Sequence, residues 1–383
     1  MQMLNRKKIA FYYPYFTGGG AEAVGLWMIQ ALMDKYDITL FTVGSINIEK
    51  LNSMYGTNIS TENIQIHQLV PKYLTKSCYF LIANSKHFRQ FFLHLLLGEF
   101  KRCCHLYDLS MSGYNAIDMG RKGIQYIHWV KVFEGIKFYY KLSNFSEESL
   151  RENISLVNSE TVSNSVKKTY GIEAKILYPP VVIPIQHIPW EEKENSFICS
   201  GRIVKAKEPH RAIKILKRVR EAGFDIKLHI TGGGGGIYGW QYKRMINKLV
   251  AENSSWITLH ENRPYQEYAT LLSRCKYGIH YKKEPFGISI AEMVKAGAIP
   301  FVRSNGGQVE IVGAHNQELF FDSEDEAVEK IIATLNNGNQ QKQLIASLEE
   351  RKYLFSTEKF ISDIHGVVDT YFQNSLAIDT VIA

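Results

Sequence analysis

Apolar residues along the chain fall into short unbroken runs, separated by stretches whose apolar positions recur with helical spacing. Lys8 to Tyr13 (Lys-Ile-Ala-Phe-Tyr-Tyr) is the first such run, of the kind found in a strand buried on both faces. A glycine turn follows, then a helical pattern from Ala21 to Lys35 and a second strand over Asp37 to Val43. Gln125–Trp129 and Leu156–Asn158 read as later strands of this series, and Ser163–Tyr170 as a helix ended by Gly171. From Tyr178-Pro179-Pro180 through Pro184 to Pro189-Trp190, proline is too frequent for a helix interior or a central strand, so this stretch reads as a linker. A second series begins at Phe197–Gly201. Pro209 stands where a helix starts, with Ala212, Ile213, Leu216 and Val219 on one face before Gly223. Ile226–Ile230, Trp256–Leu259, Tyr277–Tyr281 and Ala298–Val302 are its further strands, and Tyr353–Phe372 reads as a closing helix. Strand and helix alternating twice over predicts an α/β protein with two doubly wound parallel sheets, divided at 183/184.

Composition changes this picture little. At 383 residues the chain suits two domains of roughly 150 to 200 residues each, and 45% apolar with 22% charged residues is ordinary for a globular protein. The basic N-terminus precedes an apolar run interrupted by Pro14 and Gly18, which fits a first strand better than a leader. No run approaches the roughly 18 apolar residues of a spanning helix. Five cysteines (78, 103, 104, 199, 275) without paired spacing point to a reducing cytoplasm and away from disulfides or a zinc site. Of the net charge of +7, residues 1–180 carry 20 Lys/Arg against 14 Asp/Glu, and the rest of the chain is close to neutral. These charges are spread out rather than clustered, so nucleic acid is not expected as a partner.

The chemistry concentrates in Glu284-Pro285-Phe286-Gly287-Ile288-Ser289-Ile290-Ala291-Glu292. Glu284 falls in the loop after a parallel strand, where such sheets bind ligands. Gly287 opens a helix whose free N–H groups suit anionic oxygens, and Glu292 lies further along it. Two glutamates at this spacing also fit an acidic loop and a solvated helix position. Their surroundings decide between the two readings. With Gly297, Pro300, Gly306, Gly307 and Glu310, the segment resembles the E-x7-E region of the GT4 family of retaining glycosyltransferases. Upstream, Ser200-Gly201-Arg202-Ile203-Val204-Lys205-Ala206-Lys207 resembles that family's diphosphate-gripping segment, which places those roles on Arg202 and Lys207. Gly18-Gly19-Gly20-Ala21-Glu22 resembles its first glycine turn, implying donor contacts at Gly19 and Gly20. Gly232–Gly236 resembles its second glycine loop, with more glycine than the pattern needs and a donor contact at Gly232. His128 in Gln125–Trp129 matches a strand-end histidine near the donor sugar, and Val157-Asn158-Ser159 a segment with a structural role.

The resemblance implies a GT-B fold, two Rossmann-like domains facing each other across a cleft, with a last helix (358–383) returning to the first domain (1–183) and 184–357 binding the donor. It implies a metal-independent, retaining hexosyltransferase without a cofactor, using a UDP- or GDP-linked sugar as co-substrate. His128 and Glu284 are then the catalytic residues, and Phe286, Gly287, Ile288 and Glu292 join the donor contacts. The expected acceptor is a glycan, glycolipid or other hydroxyl compound of polysaccharide biosynthesis. An epimerase or phosphorylase of the same fold, or a non-catalytic nucleotide-sugar-binding subunit, is the alternative. Residues 46–120 hold no recognisable motif. Within them, 78–104 mixes Phe and Leu with Lys86, Arg89, Lys101 and Arg102, and reads either as a helix packed into the first domain or as an amphipathic helix on a membrane surface. The expected location is the cytoplasm, with peripheral membrane contact under the second reading.

Overall fold

The computed structural model describes residues 6–16, 18–130, 137–233 and 239–382, with side chains up to 374. The chain divides into two compact units, residues 1–180 with 357–383 and residues 181–356.

The first unit holds seven parallel strands: β1 Lys8–Tyr12, β2 Asp37–Thr42, β3 Ile64–Gln68, β4 Leu109–Ser112, β5 Ile124–Ile127, β6 Ile154–Val157 and β7 Lys175–Ile176. Their order is β3-β2-β1-β4-β5-β6-β7, and β1 pairs with β2 (Ile9 beside Ile38) and β4 (Ile9 beside Leu109). Apart from Lys8, β1 is buried, because side chains on both faces meet helices. The Tyr12 hydroxyl donates to the Leu93 carbonyl at 3.1 Å and its ring meets Phe100 edge-on. On the opposite face Tyr13 lies against Gly25 of the helix Gly20–Leu32, where a Cβ would come within 2.7 Å of the ring. The C-terminal helix Thr357–Ile382 belongs to this unit: Phe360, Ile364, Val367 and Val368 are buried, and Phe372 stacks on Tyr36.

The sequence reading of 78–104 as one helix is corrected. Two helices, Thr75–Asn84 and Lys86–Cys103, are separated at Ser85, whose extended backbone (φ −141°) breaks the helix while its Oγ caps the next one by accepting from Phe88 N–H. Leu93, Leu96, Leu97 and Phe100 of the second helix are buried, so the packed reading holds for its inner face. The motif-free stretch also contains β3 and β4. In β3 only Ile64 is buried, as befits an edge strand, and β4 carries two buried serines, Ser110 and Ser112, which mask its central position.

The second unit holds β8 Glu194–Ser200, β9 Lys227–Gly232, β10 Ile257–Glu261, β11 Cys275–His280, β12 Ile299–Arg303 and β13 Phe320–Phe321, all parallel, in the order β10-β9-β8-β11-β12-β13. The strand order reverses direction between β8 and β11, so the loops after these two neighbours leave the sheet side by side on opposite faces. Phe197, Ile198, Ile279, Phe301 and Val302 fill the centre of this sheet. Among the described residues no helix is long and apolar enough to cross a membrane.

Candidate active site

At the β8/β11 switch point the chain brings Lys207 and Glu284 together. After β8, one helical turn over Lys205–Lys207 leads to Glu208, whose left-handed backbone (φ 52°) starts the helix Pro209–Glu221 and fixes Lys207 at the loop tip. Its Nζ donates to Glu284 Oε1 at 2.5 Å. His280, the last residue of β11 and 3% exposed, donates from Nε2 to the same oxygen at 2.9 Å. Among the described residues Oε2 receives no hydrogen bond, which leaves one carboxylate oxygen for a ligand. Burial pushes the Glu284 pKa up, but the hydrogen bond and charge of His280, with those of Lys207, outweigh it and hold the carboxyl below its ordinary range. The Glu284 N–H donates to Gln308 Oε1 at 2.9 Å, and the Glu284 carbonyl accepts from Gly307 N–H at 2.9 Å, so the loop is tied to the turn after β12.

Gly287 takes φ 115°, a conformation L side chains avoid, and turns the chain into the helix Ile288–Lys295. The first N–H groups of this helix have no acceptor within it. Phe286 is buried edge-on against Phe355, so any donor contact it makes is through its backbone, while Ile288 is half-buried. Glu292 points inward. Its Oε1 lies 2.9 Å from the Tyr265 hydroxyl and its Oε2 2.8 Å from that of Tyr268, and burial raises its pKa against those two hydrogen bonds. Arg202 is exposed, and its guanidinium makes no ion pair among the described residues. Gly232 is an obligatory glycine: a Cβ there would lie 1.9 Å from the Gly201 carbonyl oxygen, just where β8 and β9 end. Gly234, Gly235 and Gly236 lie outside the described residues.

The remaining sequence-predicted residues sit in the first unit, also at strand ends. Gly19 N–H donates to the Tyr55 hydroxyl at 2.9 Å, that hydroxyl donates to Glu22 Oε2 at 2.9 Å, and Gly18 N–H donates to Glu22 Oε1 at 2.7 Å. The glycine turn is therefore closed on an internal carboxylate, and Gly20 opens the helix behind it. His128 follows β5 and is buried. Its Nε2 donates to the Gly113 carbonyl at 2.9 Å, and burial, against that bond, lowers its pKa to about 4. The imidazole is neutral near pH 7, with Nδ1 as its remaining acceptor. Among the described residues no group of three or more His, Cys, Asp or Glu is placed to hold a metal ion.

Sequence reasoning missed four residues of this constellation. His280 carried a usable signal, a polar residue ending an apolar strand four positions before Glu284. Gln308, directly after Gly306-Gly307, carried a weaker one. Tyr265 and Tyr268 carried none, because a three-residue spacing on a helix also describes a core-facing stripe.

Two all-parallel doubly wound units, with charged groups and glycine turns at their strand ends, make this an α/β protein whose fold is that of the GT-B class, as the solved structures it resembles show. Residues 185–351 match the family described as Glycosyl transferases group 1, nearly the whole of the second unit. An uncharacterised glycosyltransferase of Methanocaldococcus jannaschii is 22% identical over 237 residues, an alignment spanning 61% of this chain and 62% of that relative. Among solved structures, HepE of Anabaena, in complex with UDP and glucose, has a TM-score of 0.68 at 15% identity, covering 95% of this chain and 100% of that one. A glycosyltransferase of Rickettsia africae has a TM-score of 0.68 at 14% identity, with 97% and 100% covered. WaaG, a glycosyltransferase involved in lipopolysaccharide biosynthesis, has a TM-score of 0.64 at 15% identity, with 94% and 100% covered. The likeness to these structures is one of fold, and the likeness to the family places the group 1 glycosyl transferase pattern on the second unit.

Proposed function

We propose that this protein is a retaining, metal-independent glycosyltransferase of the GT4 type, moving a sugar from a UDP- or GDP-linked donor to a hydroxyl of a surface glycan or glycolipid. The observation that carries the reading is the Lys207–Glu284–His280 cluster at the β8/β11 switch point, inside the segment that matches the group 1 family. Lys207 and Arg202 supply fixed positive charge where a departing diphosphate gains negative charge, and the open helix at Ile288 adds backbone dipoles. Glu284, with one oxygen held by two cationic or polar partners, offers its other oxygen to sugar hydroxyls. The anomeric C–O bond to the diphosphate breaks as the acceptor oxygen bonds to the same face, and the acceptor's proton passes to the leaving phosphate oxygen. His128, neutral near pH 7, is a hydrogen-bonding group rather than a cation in whatever it contacts.

Calorimetric titration with UDP, GDP, ADP, CMP and NAD tests this, with wild type run beside Glu292→Ala and Lys207→Ala. One nucleoside diphosphate binds wild type and fails with both variants if the donor site is as described. Binding of NAD alone, or diphosphate binding indifferent to both changes, overturns the reading. Peripheral membrane contact is part of the proposal, resting on Tyr73 (80% exposed) and Phe80 (62% exposed) beside the exposed Lys72, Lys76 and Lys86. Co-sedimentation with anionic but not neutral vesicles, weakened in Tyr73→Ser/Phe80→Ser, is its expected outcome.

A further inference from the structure

The Tyr265 hydroxyl stands between two acceptors, 2.7 Å from the Val182 carbonyl oxygen and 2.9 Å from Glu292 Oε1. A phenol has one hydrogen to give, a peptide carbonyl has none, and neither has an ionised carboxylate. Both contacts are full two-centre hydrogen bonds, rather than one proton shared between two acceptors, when Glu292 supplies the second proton. The other carboxyl oxygen accepts from Tyr268 at 2.8 Å, so the whole group is engaged while remaining 9% exposed. From these distances we infer that Glu292 carries a proton on Oε1 in the free protein, given to Tyr265, and that a nucleotide displaces it. The ribose hydroxyls are donors, best received by an ionised carboxylate, so their arrival expels the proton to solvent. This rests on the donor-site reading above and adds to it a pair of positioning residues, Tyr265 and Tyr268, and a proton exchanged on binding.

The surroundings support the assignment. Burial moves the Glu292 pKa upward, with the two tyrosines opposing. Tyr265 and Tyr268 are the titratable groups that face it. On the other elements packed against its helix, His280 is engaged with Glu284, Arg303 with Asp322, Arg351 with the Glu310 carbonyl and Lys352 with Glu349, while Lys342 and Glu350 are exposed to solvent. On the helix itself Lys295 donates to the Val181 carbonyl. Tyr265 in turn joins the Glu292 carboxyl to the first residues of the unit through Val182, so the state of this proton is felt where the second unit begins.

The test is calorimetry of the full chain with UDP, GDP and ADP, from about pH 5.5 to about pH 8, in two buffers of different protonation enthalpy. Glu292→Gln is the matched control: its amide N–H can donate to Tyr265 and its carbonyl accept from Tyr268, yet it has no proton to release. Wild type is expected to release up to one proton on binding at the acid end, and its Kd to fall by up to about tenfold per pH unit until the free carboxyl is ionised. Glu292→Gln loses this component. Equal proton release by wild type and Glu292→Gln overturns the inference while leaving the donor site intact. If no nucleotide binds, the donor reading fails, and the proton is judged from unfolding alone. A carboxyl whose folded pKa is raised destabilises the fold increasingly as pH rises from the ordinary carboxylate value through the raised one. Glu292→Gln should therefore match wild type in Tm near pH 4 and exceed it by a growing margin at higher pH; a gap that stays constant overturns the inference.

Discussion

Glu284 gathers Lys207 and His280 on one oxygen, and that asymmetry gives the residue its use: one half of the carboxylate is anchored, the other is available. Replacing Lys207 by Met removes one charge-assisted bond, worth about 1.5–3 kcal/mol, and nucleoside-diphosphate affinity measured by calorimetry should drop about tenfold to a hundredfold. Because the folded-state pKa of Glu284 is lowered, its pairing stabilises the protein above the unfolded-state value and is lost as pH falls through the lowered one. Wild type should hold a Tm advantage over Glu284→Gln at neutral pH that closes below about pH 4. His128 behaves in the same sense, through a base kept neutral rather than an acid kept charged. With a folded pKa of about 4, it costs stability as pH falls below its unfolded value of about 6.5, and its NMR titration should show no protonation between about pH 5 and about pH 8.

At the scale of elements, strand ends position the chemistry, and close backbone contacts set where each strand ends. The C-termini of β8 and β9 touch at Gly201 and Gly232, with no room for a Cβ at the second. Gly232→Ala must push the Gly201–Arg202 loop away, and a loss of about 1–3 kcal/mol in chemical denaturation, together with weakened nucleotide binding, is expected. Much of this level was legible. Pro209 at a helix start and Gly171 past a helix end stand where the sequence placed them, since both residues act through their own backbone. The break at Ser85 was less so, because Phe and Leu continue on both sides and only the capping geometry interrupts the helix. Strands β3 and β4 escaped the apolar-run criterion for opposite reasons, one being an exposed edge and the other a central strand carrying buried serines.

On the scale of the whole molecule, the last helix is part of the first unit although the second unit lies between them in sequence. It buries Phe360, Ile364, Val367 and Val368, and Asp369, His365 and Tyr371 each share a hydrogen bond with that unit, at Tyr36, Ala31 and Lys122. Four buried apolar side chains at about 1.5–3 kcal/mol each exceed a large part of a domain's net stability. A chain ending at Ser356 should therefore lose the folded first unit and keep the second, seen as early proteolysis of residues 6–180 while residues 181–356 stay resistant.

By itself the sequence determined the class of fold, the strands and helices that carry a clear local pattern, and the glycine and glutamate pattern of the second unit, because periodicity, proline, glycine and loop position act locally. The tertiary structure alone decided who meets whom. Lys207 and Glu284 stand 77 positions apart, and Glu292 stands 24 and 27 from its tyrosines. Local pattern holds no distance between such residues. The reversal of strand order at β8 and β11 makes the first pair neighbours, and the packing of one helix against another makes the second, which is also what decides where the proton on Glu292 resides.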